Sequence, residues 1–582
     1  MKSRKDYTQF VPMLLDMRKL GITKRQIIAE GYMNAAEYKE AAKLIAENSL
    51  TSEKSVMQET SKIEEIAPEI TENEPKSAKS EKPKPPRISS IEERYLDKPR
   101  GQVHRFLVTA AQDDTPVFRP FWENMKVYAK ALNAEIIVGG FTYQKGLFED
   151  HNQRTASYDE EVQPFMEYDR VHLSEDLLLV ADANILPTTA NPLNGWLTVN
   201  HGNHVLIPHA RIASKVIPRM QGKPARRAAS TGCCTVPSYA PRAAGRKAIF
   251  HHTYGFMLVE IDTDGRTFFR NVIADEQGNF QDLTTKVVDG EFIGNCRIRG
   301  LVPGDWHHQQ LDARIARITT GVNIWSNKVT TRNNILDWCQ PEYVFFHDTL
   351  DFRFRNHHGI ADPHERARIA ASTSGDVEDE VRMAAAFINA CRRPWSTSIM
   401  VESNHDAAIA KWLKGDDGRF DGLNAHYWHS LNAEWHRRLR AQDDEFNVVE
   451  FAMRGVGLAD DVFFIKSGSS FMLDDVECGL HGDLGINGSR SAPAQYRRFG
   501  VKTNSGHTHS PEIIDGQYVA GVSAKLDQGY NKGPTTWAHA HILQYHNTKR
   551  CLLHIDEDGR FMATGDLTFE EVEIEDDQLL AA

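Results

Sequence analysis

Apolar and polar residues alternate with strand and helix periods just after residue 100. The runs RFLVTAA and AEIIVGG are short and apolar, as in buried strands, and the amphipathic run FRPFWENMKVYAKALN lies between them. A further apolar run, LLLVADANIL, follows. The pattern predicts a strand–helix–strand unit that opens an α/β region over residues 100–297.

The same alternation continues over residues 298–566. The run VEDEVRMAAAFINACRR puts Val377, Val381, Ala384, Ile388 and Cys391 on one face, at alternating four- and three-residue steps. This predicts a helix that packs on a sheet. No apolar run approaches the roughly 18 residues of a membrane span, so we expect a soluble protein with no membrane partner.

Residues 1–48 show the start signals of short helices. Thr23 with Gln26 and Asn34 with Glu37 have the spacing of a capping box, in which each side chain satisfies a free backbone N–H. We predict a helix-turn-helix-like module. Two roles are possible for this module, contact with DNA and docking to a protein partner.

Composition changes sharply on both sides of the predicted folded regions. Residues 49–99 are rich in Glu, Lys, Ser and Pro, with Pro83, Pro85 and Pro86 close together, which predicts a disordered linker. Residues 567–582 form a short acidic tail. The chain has 7 cysteines in 582 residues and no CxxC pair, so we expect a reducing, cytoplasmic location.

Charge is unevenly distributed along the chain. The formal charge is −12, which excludes a simple polycation. Between Ala183 and Val259, however, there is no acidic residue. Nine basic residues lie in this stretch: Arg211, Lys215, Arg219, Lys223, Arg226, Arg227, Arg242, Arg246 and Lys247. One interpretation is a track for DNA phosphates, and the alternative is a surface that pairs with acidic segments of the same protein, such as Glu570 to Asp577. We favour the track.

Five segments of the last region place metal-ligand residue types after apolar runs. They are GLVPGDWH, YVFFHDTLD, SIMVESNHD, CGLHGD and SGHTH. A single His or Asp after a strand is usually a capping residue, but five in succession at strand ends indicate a site. Carboxylate, imidazole and amide groups without cysteine suit Mn²⁺, Fe²⁺ or Zn²⁺.

These five segments resemble the motifs of the calcineurin-like metallophosphoesterases, in the order DxH, GDxxD, GNH[DE], H and GHxH. The resemblance covers residues 298–545 and, within the family, is greatest to large phage-encoded phosphoesterases that degrade DNA. It implies a sandwich of two mixed β-sheets flanked by helices. It also implies two divalent metal ions, Mn²⁺ foremost, with Mg²⁺, Fe²⁺ or Zn²⁺ as alternatives. The implied ligands are Asp305, His307, Asp348 and His509 for one ion, and Asp348, Asn404, His481 and His507 for the other.

The resemblance also assigns the proton donor. His405 would act beside the scissile phosphate, oriented by Asp406. The chain departs from the family pattern at two positions, where His347 and Ser403 replace glycines. Local backbone geometry there is therefore a point to test.

Three functions follow as hypotheses. The first is a metal-dependent DNase that hydrolyses phosphodiesters with a metal-activated water, and the basic stretch favours it. The second is a phosphomonoesterase or nucleotidase with the same metals. The third is a non-catalytic DNA-binding or assembly scaffold, which the retention of every implied ligand argues against. We expect a homo-oligomer.

Overall fold

The computed structural model describes residues 93–96, 98, 100–143, 153–198, 202–356, 362–372, 375–415, 417–490 and 492–563, together with Val11 and Tyr38. Val11 and Tyr38 are helical, and the other residues of the predicted N-terminal module lie outside the described residues. The acidic tail and most of the predicted linker also lie outside them. Residues 89–582 form one compact unit.

The first part of this unit is mainly β-structure. Its strands are β1 (Glu93–Tyr95), β2 (His104–Gln112), β3 (Glu135–Phe141), β4 (Met166–Glu167), β5 (Arg170–Ser174), β6 (Leu177–Val180), β7 (His204–Ile207), β8 (Ser214–Ile217), β9 (Arg226–Ser230), β10 (Gly255–Ile261), β11 (Thr267–Ile273), β12 (Phe280–Asp282), β13 (Thr285–Val288) and β14 (Glu291–Ile293). Its helices are α1 (Arg119–Leu132) and α2 (Ala243–His251).

The second part alternates strands and helices. Its strands are β15 (Gly300–Val302), β16 (Val322–Asn323), β17 (Lys328–Val329), β18 (Tyr343–His347), β19 (Thr397–Val401), β20 (Phe463–Ile465), β21 (Met472–Leu473), β22 (Val476–Glu477), β23 (Lys502–Ser505), β24 (Glu512–Ile514), β25 (Gln517–Val519), β26 (Ala540–Gln544) and β27 (Arg550–His554). Its helices are α3 (Ala313–Thr320), α4 (Ile335–Cys339), α5 (Pro363–Ser372), α6 (Val377–Cys391), α7 (Ala408–Lys414), α8 (Ala425–Arg440), α9 (Val448–Gly455) and α10 (Pro493–Tyr496).

The predicted strand–helix–strand unit is confirmed as β2, α1 and β3. The two strands pair in parallel within a five-stranded sheet of order β11-β10-β2-β3-β4. Helix α1 begins with a proline in its first turn and buries Phe121, Trp122 and Met125. This amphipathic face covers the sheet, as its period predicts.

A six-stranded mixed sheet forms the centre of the second part. Its order is β20-β19-β18-β15-β26-β27, with β15, β18, β19 and β20 parallel and the last two strands antiparallel. The predicted helix is α6, which is capped by the side chain of Asp376 and buries the whole predicted apolar face. Helices and this sheet share one large core.

An eleven-stranded sheet joins the two parts of the chain. Its order is β1-β5-β6-β7-β9-β8-β24-β25-β23-β22-β21, so strands from 100–297 and from 298–566 are hydrogen-bonded neighbours. The junction is antiparallel pairing of β8 with β24, with Lys215 opposite Glu512. The regions 100–297 and 298–566 are therefore parts of one body rather than separate units.

The two large sheets meet through a shared apolar cluster. Val302, Phe345 and Ile399 come from the six-stranded sheet, and Val476 and Tyr518 come from the eleven-stranded sheet. The α/β class with mixed sheets and flanking helices is thus confirmed. Among the described residues, no helix is long and apolar enough to cross a membrane.

Two further findings concern the linker and the cysteines. Residues 93–95 of the predicted linker form β1, which pairs in parallel with β5, so the disordered linker is wrong for these residues. Backbone hydrogen bonds to a neighbouring strand order a segment whose composition is polar. All seven cysteines are free thiols.

Candidate metal centre

All five predicted motifs follow a strand. They come directly after β15, β18, β19, β22 and β23, as the apolar runs before them predict. Each of these five strands is parallel to a neighbour, so their carboxyl ends carry the motif loops. The loops bring the predicted ligands into contact.

The first cluster contains the four residues predicted for one metal ion. Asp305, His307, Asp348 and His509 are buried, and their ligand atoms all lie within 4.8 Å of one another. His307 Nε2 lies 2.9 Å from His509 Nε2 and 3.4 Å from Asp348 Oδ2. His509 Nε2 lies 3.4 Å from Asp305 Oδ2.

The residues predicted for the second ion adjoin this cluster. His481 Nε2 is 3.2 Å from Asp348 Oδ2, and the rings of His481 and His507 are 5.2 Å apart. His507 Nδ1 donates a hydrogen bond to Asn404 Oδ1 at 3.0 Å, which leaves its Nε2 as the free nitrogen. The structure therefore brings all seven predicted ligands together.

Several buried atoms of the cluster lack a hydrogen bond within the described part of the chain. They are Asp305 Oδ1, both carboxylate oxygens of Asp348, His481 Nε2 and His509 Nδ1. Leaving such groups unpaired is costly, and native proteins rarely do so without an ion, a water or a function. Carboxylate oxygens and imidazole nitrogens are ligands for Mn²⁺, Fe²⁺ and Zn²⁺, so this donor set fits a divalent cation.

The backbone of the cluster is unusual. Four of the predicted ligands have left-handed backbones, with φ of 43° at His307, 46° at Asp348, 74° at His507 and 56° at His509. Non-glycine residues adopt this region at a cost, and such strain concentrates at functional sites. At Gly506 an added Cβ would lie 2.1 Å from Asp305 Oδ1, so only glycine permits this approach.

The electrostatics of the cluster show groups that compensate one another. Burial would raise the pKa of Asp348, but His481, His405 and His307 hold it well below its ordinary value. Burial would lower the pKa of His481, but Asp348 raises it to about 9. Without a cation the Asp348 carboxylate thus depends on the protonated His481, whereas burial raises the pKa of Asp305 to about 7, so this second carboxyl group tends to keep its own proton. A bound divalent ion would displace those protons.

Asp351 is a functional residue that the sequence analysis missed. Its Oδ1 accepts a hydrogen bond from His307 Nδ1 at 3.1 Å and lies 3.2 Å from His405 Nδ1, which donates a hydrogen bond to the Asp351 backbone carbonyl at 3.3 Å. Both histidines therefore direct Nε2 away from Asp351. The available signal was its position as the last residue of YVFFHDTLD, three residues after Asp348.

His405 lies beside the cluster, as predicted. Its ring centroid is 4.5 Å from that of His307, and its side chain is 20% exposed. Burial would lower its pKa, but Asp348 and Asp351 raise it to about 10. His405 is therefore cationic at neutral pH and has a proton to donate.

The predicted catalytic role of Asp406 is wrong. Asp406 is fully buried, and its carboxylate accepts hydrogen bonds from Leu350 N at 2.9 Å, Ser403 N at 3.0 Å and Ser403 Oγ at 2.8 Å. These bonds fix the loop after β19, and Asp351 orients His405 instead. Ser403 stands where the metallophosphoesterase motif has glycine, and its hydroxyl donates a hydrogen bond to Asp406.

His347, the other departure from the metallophosphoesterase motifs, contacts a predicted ligand. It is fully buried, and its Nδ1 lies 3.3 Å from His481 Nδ1. His481 directs Nε2 toward Asp348, so its Nδ1 carries the proton and His347 Nδ1 accepts it. Burial, aided by His481, lowers the pKa of His347 to about 3, which keeps it a neutral acceptor.

One known protein is similar to the chain over most of its length. Protein A1 of Escherichia phage T5 is 34% identical over 486 residues, which cover 82% of this chain and 85% of that protein. The chain belongs to the family of Protein A1. No protein-family model matches it, and no solved structure matches it. A phage-type relationship is thereby established.

Two of the basic residues predicted to bind DNA phosphates are buried. Arg211 is 7% exposed, and its Nη1 donates to Asp515 Oδ1 at 2.7 Å. Arg227 is 6% exposed, donates to the Phe269 carbonyl and lies 3.8 Å from the Phe269 ring centroid. The prediction of phosphate contacts is wrong for these two arginines, because their guanidinium groups point into the protein.

Three more basic residues bind groups of the same chain. Lys215 Nζ lies 3.4 Å from Glu512, Arg226 Nη1 lies 3.1 Å from Asp176, and Arg219 donates to the Trp537 carbonyl at 2.8 Å. The contacts of these three residues fit the second interpretation of the basic stretch, in which its side chains pair with other groups of the same protein. The acidic segment Glu570 to Asp577 lies outside the described residues.

The other four basic residues of the stretch are exposed. They are Lys223, Arg242, Arg246 and Lys247. Arg242, Arg246 and Lys247 lie on or next to α2. Contact of all four residues with DNA stays a prediction.

Proposed function

We propose that the chain is a metal-dependent DNase that hydrolyses phosphodiester bonds, encoded by a phage and acting in the host cytoplasm. The observation that carries this proposal is the convergence of seven ligand side chains, four of which have buried oxygens or nitrogens without a hydrogen bond among the described residues: Asp305, Asp348, His481 and His509. Similarity to a phage protein supports the setting, and the motif resemblance supports the reaction class.

The side chains divide the work of such a reaction. Asp305, His307, Asp348 and His509 would hold one ion, and Asp348 would be shared with Asn404, His481 and His507 at the second. Two divalent ions there would supply charge stabilisation at the phosphorus and a nucleophilic water at neutral pH.

His405 supplies the proton in this proposal. Its Nδ1 proton is held by Asp351, so its Nε2 proton is free to pass to the leaving oxygen. Asp351 also fixes His307, and thus couples the proton donor to a metal ligand.

The test compares DNA and small phosphate esters. Purified protein with Mn²⁺ should degrade linear, circular or single-stranded DNA and should hydrolyse bis(p-nitrophenyl) phosphate. EDTA should abolish both activities. Asp348→Asn should also abolish both activities, because Asp348 is shared by the ligand sets of the two ions. Asp460 is exposed, so Asp460→Asn should keep both activities at the level of the parent protein.

Other outcomes would contradict the proposal. Hydrolysis of p-nitrophenyl phosphate without any cleavage of DNA would favour the phosphomonoesterase. DNA cleavage that persists in EDTA, or an active Asp348→Asn protein, would exclude the metal mechanism.

A further inference from the structure

Helix α2 exposes nearly all of its side chains. Of its residues, Gly245 and Ala248 are the buried ones. Arg246, Lys247 and Phe250 are exposed, and Arg242, directly before the helix, is exposed as well. The helix contains no acidic residue.

Phe250 is the most exposed large apolar side chain of the described chain, at 81%. Arg246 precedes it by four residues and Lys247 by three, so both cations lie on the same helix face as the ring. An aromatic ring flanked by cations is the arrangement on which proteins stack nucleic-acid bases while binding the phosphates.

Tight packing fixes the position of α2. An added Cβ at Gly245 would lie 1.9 Å from the Ala240 carbonyl oxygen, so the helix touches the preceding segment directly. After the helix, His252 is held between the Tyr239 hydroxyl at 2.7 Å and the Thr235 carbonyl at 2.8 Å. Phe250 is therefore presented by an ordered element.

A second exposed element lies next to α2. Asp515 forms an ion pair with Arg497, with 3.0 Å between Oδ2 and Nη1. Its Oδ1 lies 3.9 Å from Nδ1 of His251, the last residue of α2. The turn Arg497–Phe499 follows α10, and all three of its residues are exposed. It adds two cations and a second exposed ring.

This second element is linked to the metal centre. The hydroxyl of Tyr496 donates to the Leu484 carbonyl at 2.7 Å, and Leu484 lies three residues after the predicted ligand His481. A strand held on this surface thus contacts an element anchored to a ligand loop.

We propose that this surface binds single-stranded DNA. We call it the α2 face; its residues are Arg242, Arg246, Lys247, Phe250, Arg497, Arg498 and Phe499. The inference rests on the proposed nuclease function and names the form of DNA that the enzyme holds. Duplex DNA hides the faces of its bases, so it uses the cations alone, whereas a single strand also uses the rings.

Binding of labelled oligothymidylate and of a DNA duplex tests the proposal, with both longer than the roughly 16 nucleotides that one binding module covers. EDTA prevents cleavage, and anisotropy reports affinity. Phe250→Ala should weaken single-strand binding about 5- to 150-fold and leave duplex binding nearly unchanged. Phe250→Tyr should retain binding because it keeps the ring.

Charge is tested separately. The double variant Arg246→Gln/Lys247→Gln should weaken binding of both forms of DNA. It should also reduce the salt slope for single strands by about 0.7 for each phosphate that the variant no longer neutralises. Phe420→Ala is the matched control, since Phe420 is 78% exposed and lies 4.5 Å from the guanidinium of Arg419 elsewhere on the protein.

The outcomes separate the two proposals. A parent protein that binds the single strand but never hydrolyses bis(p-nitrophenyl) phosphate with metal would remove the nuclease and keep the surface. A parent that does not bind the single strand, or a Phe250→Ala protein that binds it like the parent, would overturn the surface. Equal weakening of single-strand and duplex binding in Phe250→Ala would also overturn it.

Discussion

The side chains around the metal centre have two kinds of environment. Those with unpaired buried atoms face the cluster, whereas Asp351 and Asp406 are fully engaged in holding their neighbours. His405 is of neither kind, because one nitrogen is held by Asp351 and the side chain reaches solvent. This position is that of a proton donor.

His405→Ala should therefore retain its metal and lose rate. We expect hydrolysis to slow by roughly 10²- to 10⁴-fold, the usual contribution of general acid–base catalysis. Elemental analysis by mass spectrometry gives the metal content, and the exposed His436→Ala serves as the control. Loss of metal from His405→Ala would show that His405 is itself a ligand.

His347 should affect metal affinity through His481. His347→Gln keeps an acceptor for His481 Nδ1 and should bind metal nearly like the parent. His347→Leu removes the acceptor and should lower metal affinity by about 10- to 100-fold, the usual cost of losing an outer hydrogen bond to a ligand. Competition with a chelating dye measures the difference. Equal metal affinities of the leucine and glutamine variants would show that His347 only packs against its neighbours and does not act through a hydrogen bond to His481.

Residue types and their spacing predict the ligands but not the contacts between them. Each ligand follows an apolar strand, and strand ends are adjacent in a sheet, so their convergence follows from the pattern. Adjacency in sequence pairs Asp406 with His405, yet the spatial neighbour is Asp351. Likewise, the excess of basic residues in the sequence around Arg211 and Arg227 does not show that these two side chains are buried.

Helix α6 shows what periodicity can and cannot predict. The period predicts its apolar face correctly, but Glu380 is also fully buried there. The carboxylate accepts hydrogen bonds from the backbone of Arg353 and from Phe354 N at 3.2 Å. These partners are 26 and 27 residues away, so no local pattern reveals them.

Glu380 should make stability depend on pH. Burial, with the charge of Asp351, raises its pKa from 4.5 to about 8, so the folded state holds a proton that the unfolded chain releases. Stability from this group is present below about pH 4.5 and decreases as pH rises through about 8. Glu380→Gln should flatten the dependence of the melting temperature on pH over this range. Glu378→Gln, whose partner is the exposed Arg382, should not.

Local patterns also predict strands without their partners. Strand β8 has only four residues, and its hydrogen-bonded neighbours are β9 and the distant β24. Such pairing is set by complementarity across the sheet, including Lys215 opposite Glu512. The eleven-stranded sheet therefore could not be predicted from the sequence.

Removal of residues 1–297 should prevent folding of the remainder. The fragment would expose the edge of β24 and would lose Asn271, which donates to the Arg550 carbonyl at 3.0 Å and accepts from Leu552 N. Exposed strand edges promote aggregation. The fraction of the 298–582 fragment in the soluble lysate measures the effect. Removal of residues 1–88, outside the compact unit, should leave the protein soluble.

A soluble 298–582 fragment that binds metal would contradict this prediction. The eleven-stranded sheet would then be a contact between two independently stable parts. Hydrogen exchange of the β24 amides in the full chain would show whether that contact opens on its own.

The interleaved sheet also limits how such a gene can change by recombination. A crossover ahead of residue 89 exchanges sequence without separating any of the strand pairs in the compact unit. A crossover near residue 298 joins a β8 from one lineage to a β24 from another, and the two strands have no shared history of compensating substitutions. The halves of this protein are therefore expected to have a common ancestry, and their phylogenetic trees should coincide.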